Sequence, residues 1–413
     1  MNEPITALLA AANGEIYDAP GYSALGRSGD TLLDLTPQDL IPLPEGADLM
    51  FLPGRRAVGK NRAGDIVPLD GRPVSAILPA GYTRVYLPAF QRTKNAAVLP
   101  LYGYTAVALY RNRLYAAAVH TDRSDFWNPK YYNTRSLKKR IRQTKEALPD
   151  NRLVDHLAHC SLEYHCCTAQ NLFYRRWEAG IPTSPVCNAN CLGCISLQPS
   201  ECCPSPQERI KFSPTPEEVS AVGIYHLEAA PEAIVSFGQG CEGEPSLAAE
   251  TIAESIRRIR ARTDKGQINI NTNAGYTAGI RKIIDAGLDS MRVSIISARE
   301  ENYAAYYRAQ YFLADVKESI RYALGKKVYV SLNLLYFPGF NDRTDESEAW
   351  RGFLRELPVQ MIQVRNLNLD PDMFWDIVPP SRRKTLGTRR FLRLLEDARP
   401  RLNIGSFSHY RTK

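Results

Sequence analysis

No cysteine precedes Cys160 and none follows Cys241, although the chain of 413 residues holds nine. That confinement excludes a C-terminal domain with cysteine-ligated clusters of its own and gathers every thiolate ligand into one middle stretch. No apolar run reaches the roughly 18 residues that a membrane span needs. The opening Met1-Asn2-Glu3-Pro4 lacks the basic and apolar parts of a secretory signal. A cytoplasmic protein is expected, with its cysteines as thiols or metal ligands rather than disulfides. No Asp-x-His-x-x-Gly pattern of the kind that marks a cobalamin domain occurs. Neither sign of charge dominates: the net charge is +8, with 44% hydrophobic and 23% charged residues, as in ordinary globular chains. Much of the excess lies in 135–145 and 382–413. Such runs read first as solvated helix faces, with an acidic or nucleic-acid partner as the alternative.

Residues 1–133 read as a mostly β accessory domain. Turn signals such as Asn13-Gly14, Pro53-Gly54 and Asp70-Gly71 punctuate short apolar runs there, and 111–119 reads as the return arm of a hairpin. No catalytic motif appears in it. Residues 134–180 form a helical, cysteine-containing link, with Leu153, His156, Leu157 and Cys160 at three- and four-residue steps. From 181 onward strand and helix alternate. Strands are expected at 233–237, 267–271, 290–296, 328–335 and 361–364, and helices at 247–262, 278–286, 346–357 and 382–398. Another helix follows Thr215, an N-cap with Pro216 at the first turn and Glu217 and Glu218 at the positive helix end. With one more strand just before Cys187, the fold class is α/β, a partial (βα)6 TIM-like barrel over 181–378. A basic helical segment, 379–413, follows.

The chemistry centres on Ser184-Pro-Val-Cys187-Asn-Ala-Asn-Cys191-Leu-Gly-Cys194. Three thiols in one short loop can converge on a single metal centre. Three cysteines on an iron–sulfur cube leave one iron open to a non-protein ligand. A structural zinc loop is the other reading, although the nearest downstream histidine, His226, falls in an expected helix. Cys160, Cys166, Cys167, Cys202 and Cys203 follow no standard spacing. They read as packed thiols, as a redox pair, or as ligands of a second iron–sulfur cluster.

The CxxxCxxC spacing followed by an α/β repeat resembles the radical S-adenosylmethionine (radical SAM) enzymes. The resemblance implies that Cys187, Cys191 and Cys194 hold a [4Fe–4S] cluster whose open iron takes the amino and carboxylate groups of S-adenosylmethionine. Reductive cleavage then yields methionine and a 5′-deoxyadenosyl radical. It further implies that Glu242-Gly243-Glu244-Pro245, after a strand, stands where the family has a Gly-Gly-Glu-Pro motif for the methionyl amine. Glu242 replaces the first glycine there and adds a charge. Gly193 stands where the family usually has an aromatic residue near the adenine. Asn273, Ser294, Arg308 and Asn333 are the further cofactor contacts that the resemblance suggests. Arg365, Asn366 and Asn368 are candidate substrate contacts. The implied partners are an unknown substrate and an electron donor such as ferredoxin or flavodoxin, with no membrane. A peptide, protein or small-molecule substrate is the first reading. RNA modification, or a non-enzymatic zinc or iron–sulfur binding module, is the alternative.

Overall fold

The computed structural model describes residues 3–198 and 204–412. Cys202 and Cys203, read above as ligands of a second cluster, lie outside the described residues. Up to His120 the chain folds into antiparallel β structure, an eleven-stranded sheet and a three-stranded one. The expected hairpin forms, but its return arm starts at Arg113 rather than Arg111. Thr105–Tyr110 returns as Arg113–His120 with Tyr110 paired to Arg113. Arg111 and Asn112 form its two-residue turn, both at positive φ, which matches the right-handed twist of the arms.

Three helices follow, α1 (Leu137–Ala147), α2 (Arg152–Leu162) and α3 (Cys167–Tyr174). Leu153, Leu157 and Cys160 are buried on one face of α2. The parallel sheet then runs through β1 (Glu178–Gly180), β2 (Ile234–Phe237), β3 (Gln267–Thr272), β4 (Ser290–Ile295), β5 (Tyr329–Tyr336), β6 (Met361–Asn366) and β7 (Asn403–Gly405), each paired with the next. Between these strands come α4 (Pro216–Ala229), α5 (Ala249–Arg262), α6 (Thr277–Asp285), α7 (Glu300–Tyr307), α8 (Leu313–Gly325), α9 (Thr344–Glu356), α10 (Pro371–Ile377) and α11 (Thr388–Ala398). The expected α/β partial barrel with its β-rich N-terminal region is what the chain forms.

The local signals act as the sequence suggests. Thr215 accepts from the Glu218 N–H and Glu218 reaches back to the Thr215 N–H, a capping box that starts α4. Helix α5 buries Ile252, Ile256 and Ile259 at four- and three-residue steps. Each such side chain contributes roughly 1.5–3 kcal/mol of burial. Two further expectations need correction. The basic helix starts at Thr388 rather than 382, because Pro379, Pro380 and Gly387 keep the preceding stretch non-helical. The segment after it adds a seventh strand, three residues long, too short to carry a hydrophobic period.

The strands alternate in polarity, which fixes two faces. Ile268, Ile270, Met291, Val293, Leu332 and Leu334 are fully buried in the main core. The opposite, concave face is polar. Asn269 donates to the Ser236 hydroxyl at 3.0 Å and accepts from Ser290 at 2.9 Å, and Arg292 on β4 reaches Gln363 on β6 at 3.0 Å.

The N-terminal region docks on the loop after β6. Arg84, fully buried, donates to the Leu367 carbonyl and to the Asn368 Oδ1, while its own N–H donates to the Asn366 Oδ1 at 2.9 Å. Arg55 pairs with Asp370 at 2.8 Å, with both side chains buried. Asn366 and Asn368, expected as substrate contacts, thus hold the two parts of the chain together. No helix among the described residues is long and apolar enough to cross a membrane.

Candidate functional site at the carboxyl ends of the parallel strands

The cysteine loop leaves β1 and is seated on the end of α7. The Asn190 and Leu192 N–H groups donate to the Tyr307 and Tyr306 carbonyls at 2.9 and 3.1 Å. Arg308, at positive φ where α7 stops, donates from Nε to the Asn190 carbonyl at 2.8 Å. Arg308, suggested as a cofactor contact, is therefore a support of this loop, and it is exposed.

Cys187, Cys191 and Cys194 are free thiols, each partly exposed. Burial raises the Cys191 pKa well above the ordinary thiol value, and the neighbouring Cys187 and Cys194 add to the shift. Burial likewise pushes Cys187 up. Burial acts on Cys194 in the same direction, but hydrogen bonds from Ser196 and Arg209 outweigh it and hold that thiol below its usual value. Arg209 Nη2 lies 3.5 Å from the Cys194 sulfur. Three free thiols in one loop, one of them facing a guanidinium, are a donor set that fits a thiolate-ligated cluster. His226 is not among them. It is fully buried and donates to the Trp177 carbonyl at 3.0 Å.

The Gly-rich loop after β2 is laced to the cysteine loop by backbone bonds. The Gly243 N–H donates to the Ser184 carbonyl at 2.7 Å and the Glu244 N–H to the Val186 carbonyl at 2.8 Å. A Cβ on Gly243 would fall 2.0 Å from the Val186 oxygen, so only glycine permits this approach. Glu242, expected to add charge at the amine, instead turns inward. Its carboxylate accepts from the Thr183, Ser184, Gly238 and Gln239 N–H groups at 2.5–3.0 Å. Burial pushes its pKa up to about 7, against the pull of those bonds. Glu244 is also buried. It accepts from the Ser246 N–H at 3.0 Å, from Thr272 Oγ1 and from the Asn273 N–H at 2.8 Å. Pro245 opens the short 3-10 turn that Glu244 caps.

Asn273 extends the same site, donating to the Asn188 Oδ1 inside the cysteine loop at 2.7 Å. Ser294 and Asn333 are register partners on β4 and β5, with Asn333 Nδ2 3.4 Å from Ser294 Oγ. The Asn333 Oδ1 is buried without a partner among the described residues, an acceptor left facing the concave side. Arg365 lies on that face too and donates to the Ser406 carbonyl at 2.7 Å. The suggested residues thus fall into two groups. Cys187, Cys191, Cys194, Gly243, Glu244, Pro245, Asn273 and Arg308 share one network of loops, whereas Ser294 and Asn333 sit on the strands beside it.

Sequence reasoning missed the tyrosines. Tyr303, Tyr306, Tyr307 and Tyr311 are all buried beside the cysteine loop. Burial raises their hydroxyl pKa values, with the Cys191 charge adding to each shift. Their three- and four-residue spacing was the available signal. Gly193 finds its reason here, since a Cβ there would lie 2.8 Å from the Tyr306 hydroxyl and 2.9 Å from Leu367 Cδ1. Arg209 was missed as well, because nothing in its local sequence points at Cys194.

A further group of ligand-type atoms lies behind the Gly-rich loop. His156, Cys160 and Cys241 bring one nitrogen and two sulfurs within 4.8 Å of one another.

Residues 181–349 match the family described as the Radical SAM superfamily. A GTP 3′,8-cyclase from Lactiplantibacillus plantarum is 28% identical over 161 residues, 38% of this chain and 44% of that protein. The chain therefore spans less than half the length of this curated relative. Among solved structures, a radical SAM methyltransferase from Sphaerobacter thermophilus aligns with a TM-score of 0.40 and 14% identity, over 55% of this chain and 65% of the other. The FeFe-hydrogenase maturase HydG from Carboxydothermus hydrogenoformans aligns with a TM-score of 0.38 and 16% identity, over 65% and 66%. The match to the radical SAM superfamily thus covers residues 181–349, about two fifths of the chain.

Proposed function

We propose that this chain is a radical SAM enzyme in which Cys187, Cys191 and Cys194 hold a [4Fe–4S] cluster. The observation that carries the reading is the lacing of the cysteine loop to the Gly243–Glu244 backbone, which sets three free thiols beside a loop of the composition the family uses. When bound, the cluster and S-adenosylmethionine supply reductive cleavage to a 5′-deoxyadenosyl radical.

This chain's own residues position and enclose. Arg209 favours the charged form of Cys194. Glu242 fixes the turn by taking up its N–H groups, and Glu244 and Asn273 tie it to the cysteine loop. Glu244 keeps acceptor capacity on Oε2 for an ammonium group. Asn333 and Ser294 offer polar atoms to the nucleoside side. The buried tyrosines exclude water behind Cys191. An external donor such as ferredoxin or flavodoxin supplies the electron.

The polar concave face, with Arg292, Gln363 and Arg365, suits a polar peptide or small-molecule substrate rather than an apolar one. The second reading, an RNA substrate, is favoured by one observation. Arg351 and Arg355 on α9 line a single cavity with Arg390 and Arg393 on α11. The test is anaerobic reconstitution with iron and sulfide, reduction in the presence of S-adenosylmethionine, and detection of 5′-deoxyadenosine. Cys191→Ala is expected to abolish its formation. Formation at the wild-type rate by that variant would defeat the assignment.

A further inference from the structure

We propose that His156, Cys160 and Cys241 form a binding site for a single zinc ion, separate from the cysteine loop. His156 and Cys160 are four residues apart on one face of α2, and Cys241 comes from the loop after β2. The three ligand atoms lie within 4.8 Å of one another. Cys160 Sγ stands 3.6 Å from His156 Nε2. A tetrahedral zinc with ordinary bond lengths to sulfur and imidazole nitrogen separates two such ligands by about 3.6 Å. The sulfurs are shielded, Cys160 being 0% and Cys241 3% exposed. Two thiolates and an imidazole around one point are a donor set for zinc. An iron–sulfur cube draws on thiolates, one to each iron, and spreads its ligands around a larger object. The structure thus takes Cys160 from the suggested second cluster and joins it to a histidine and to Cys241, a grouping that no local spacing signals.

Such an ion would fasten the helical link to the turn that Glu242 and Glu244 organise. The Cys241 backbone is itself held in place, its carbonyl accepting from the Ile210 N–H at 2.7 Å. The fourth ligand is taken as water, as in other three-residue zinc sites. The site stands whether or not the radical SAM reading holds, because its ligands are not those of the cysteine loop.

The experiment uses the full chain with Cys187→Ala, Cys191→Ala and Cys194→Ala combined, so that metal in the cysteine loop cannot be mistaken for the site. Elemental analysis is expected to find one zinc per chain. Replacement by Co²⁺ is expected to give tetrahedral d–d bands with thiolate-to-cobalt charge transfer. Adding His156→Ala, at a half-buried position, or Cys241→Ser is expected to remove the zinc. Retention of zinc by Cys202→Ser and Cys203→Ser together supports the three-residue site. Loss there with retention in His156→Ala overturns it. Where a variant fails to fold, the Co²⁺ spectrum of the parent decides. Absence of charge transfer, or a Cys160–Cys241 disulfide in freshly reduced protein, refutes the proposal.

Discussion

Replacing Gly243 by alanine probes the junction on which the candidate site rests. Its backbone is not at positive φ, so the substitution acts through space alone. The new Cβ would lie 2.0 Å from the Val186 oxygen, 2.4 Å from the Val186 carbonyl carbon and 3.1 Å from the Cys187 nitrogen. Non-bonded carbon keeps about 3.5 Å from its neighbours, so the two strands of backbone must part by more than about 1 Å. That movement breaks the bonds from Gly243 to Ser184 and from Glu244 to Val186. Losing two such bonds, with their groups left buried, costs about 2–5 kcal/mol. The cost falls on the segment that carries Cys187. Denaturant unfolding is expected to show it, and iron content after anaerobic reconstitution should drop in parallel. Gly352→Ala in α9 is the control, since its Cβ meets nothing within 4 Å and the site is helical. It should gain about 0.5–1 kcal/mol. A Gly243→Ala protein with the wild-type unfolding midpoint and iron content would refute the reasoning.

Glu242→Gln places an amide N–H₂ against N–H donors and should cost about 2–4 kcal/mol in thermal or denaturant unfolding; an unchanged midpoint would show that the inward carboxylate does not hold the turn. Arg55→Met leaves Asp370 charged and buried, so a loss of about 3–5 kcal/mol and faster proteolysis between the N-terminal region and the barrel are expected. Adding Asp370→Asn should restore part of it, and a single-variant cost under about 1 kcal/mol would contradict the docking role. Burial lowers the His226 pKa from 6.5 to about 4. The unfolded chain then binds the proton first on acidification, so stability is full above pH 6.5 and drains away as pH falls towards 4. The loss from this group is roughly 2 kcal/mol by pH 5. His226→Gln should flatten the pH dependence of unfolding by that amount, and parallel curves for the two proteins would count against it.

What could be read in the sequence was local. The CxxxCxxC loop, the N-cap at Thr215 with Pro216 after it, the hairpin near Arg111 and the buried stripe of α2 each sit within one turn or one short period. Their physics is that of nearest neighbours. What escaped was set by distant partners. Glu242 looked like an added charge because its N–H donors at Thr183 and Ser184 lie in another segment. Asn366 and Asn368 looked free for substrate because Arg84, their partner, comes from the N-terminal sheet. His156 and Cys160 lay in a visible helical pattern, but only the fold brings Cys241 to them. β7 was missed because three residues cannot display an alternation.

The crowding at Gly193 reaches past the glycine itself. The phenol of Tyr306 and any side chain at position 193 lay claim to the same volume, so the two sites are bound as alternatives. A bulkier group at 193 also meets Leu367, so an engineer wishing to alter this wall must make room at both 306 and 367 when changing 193.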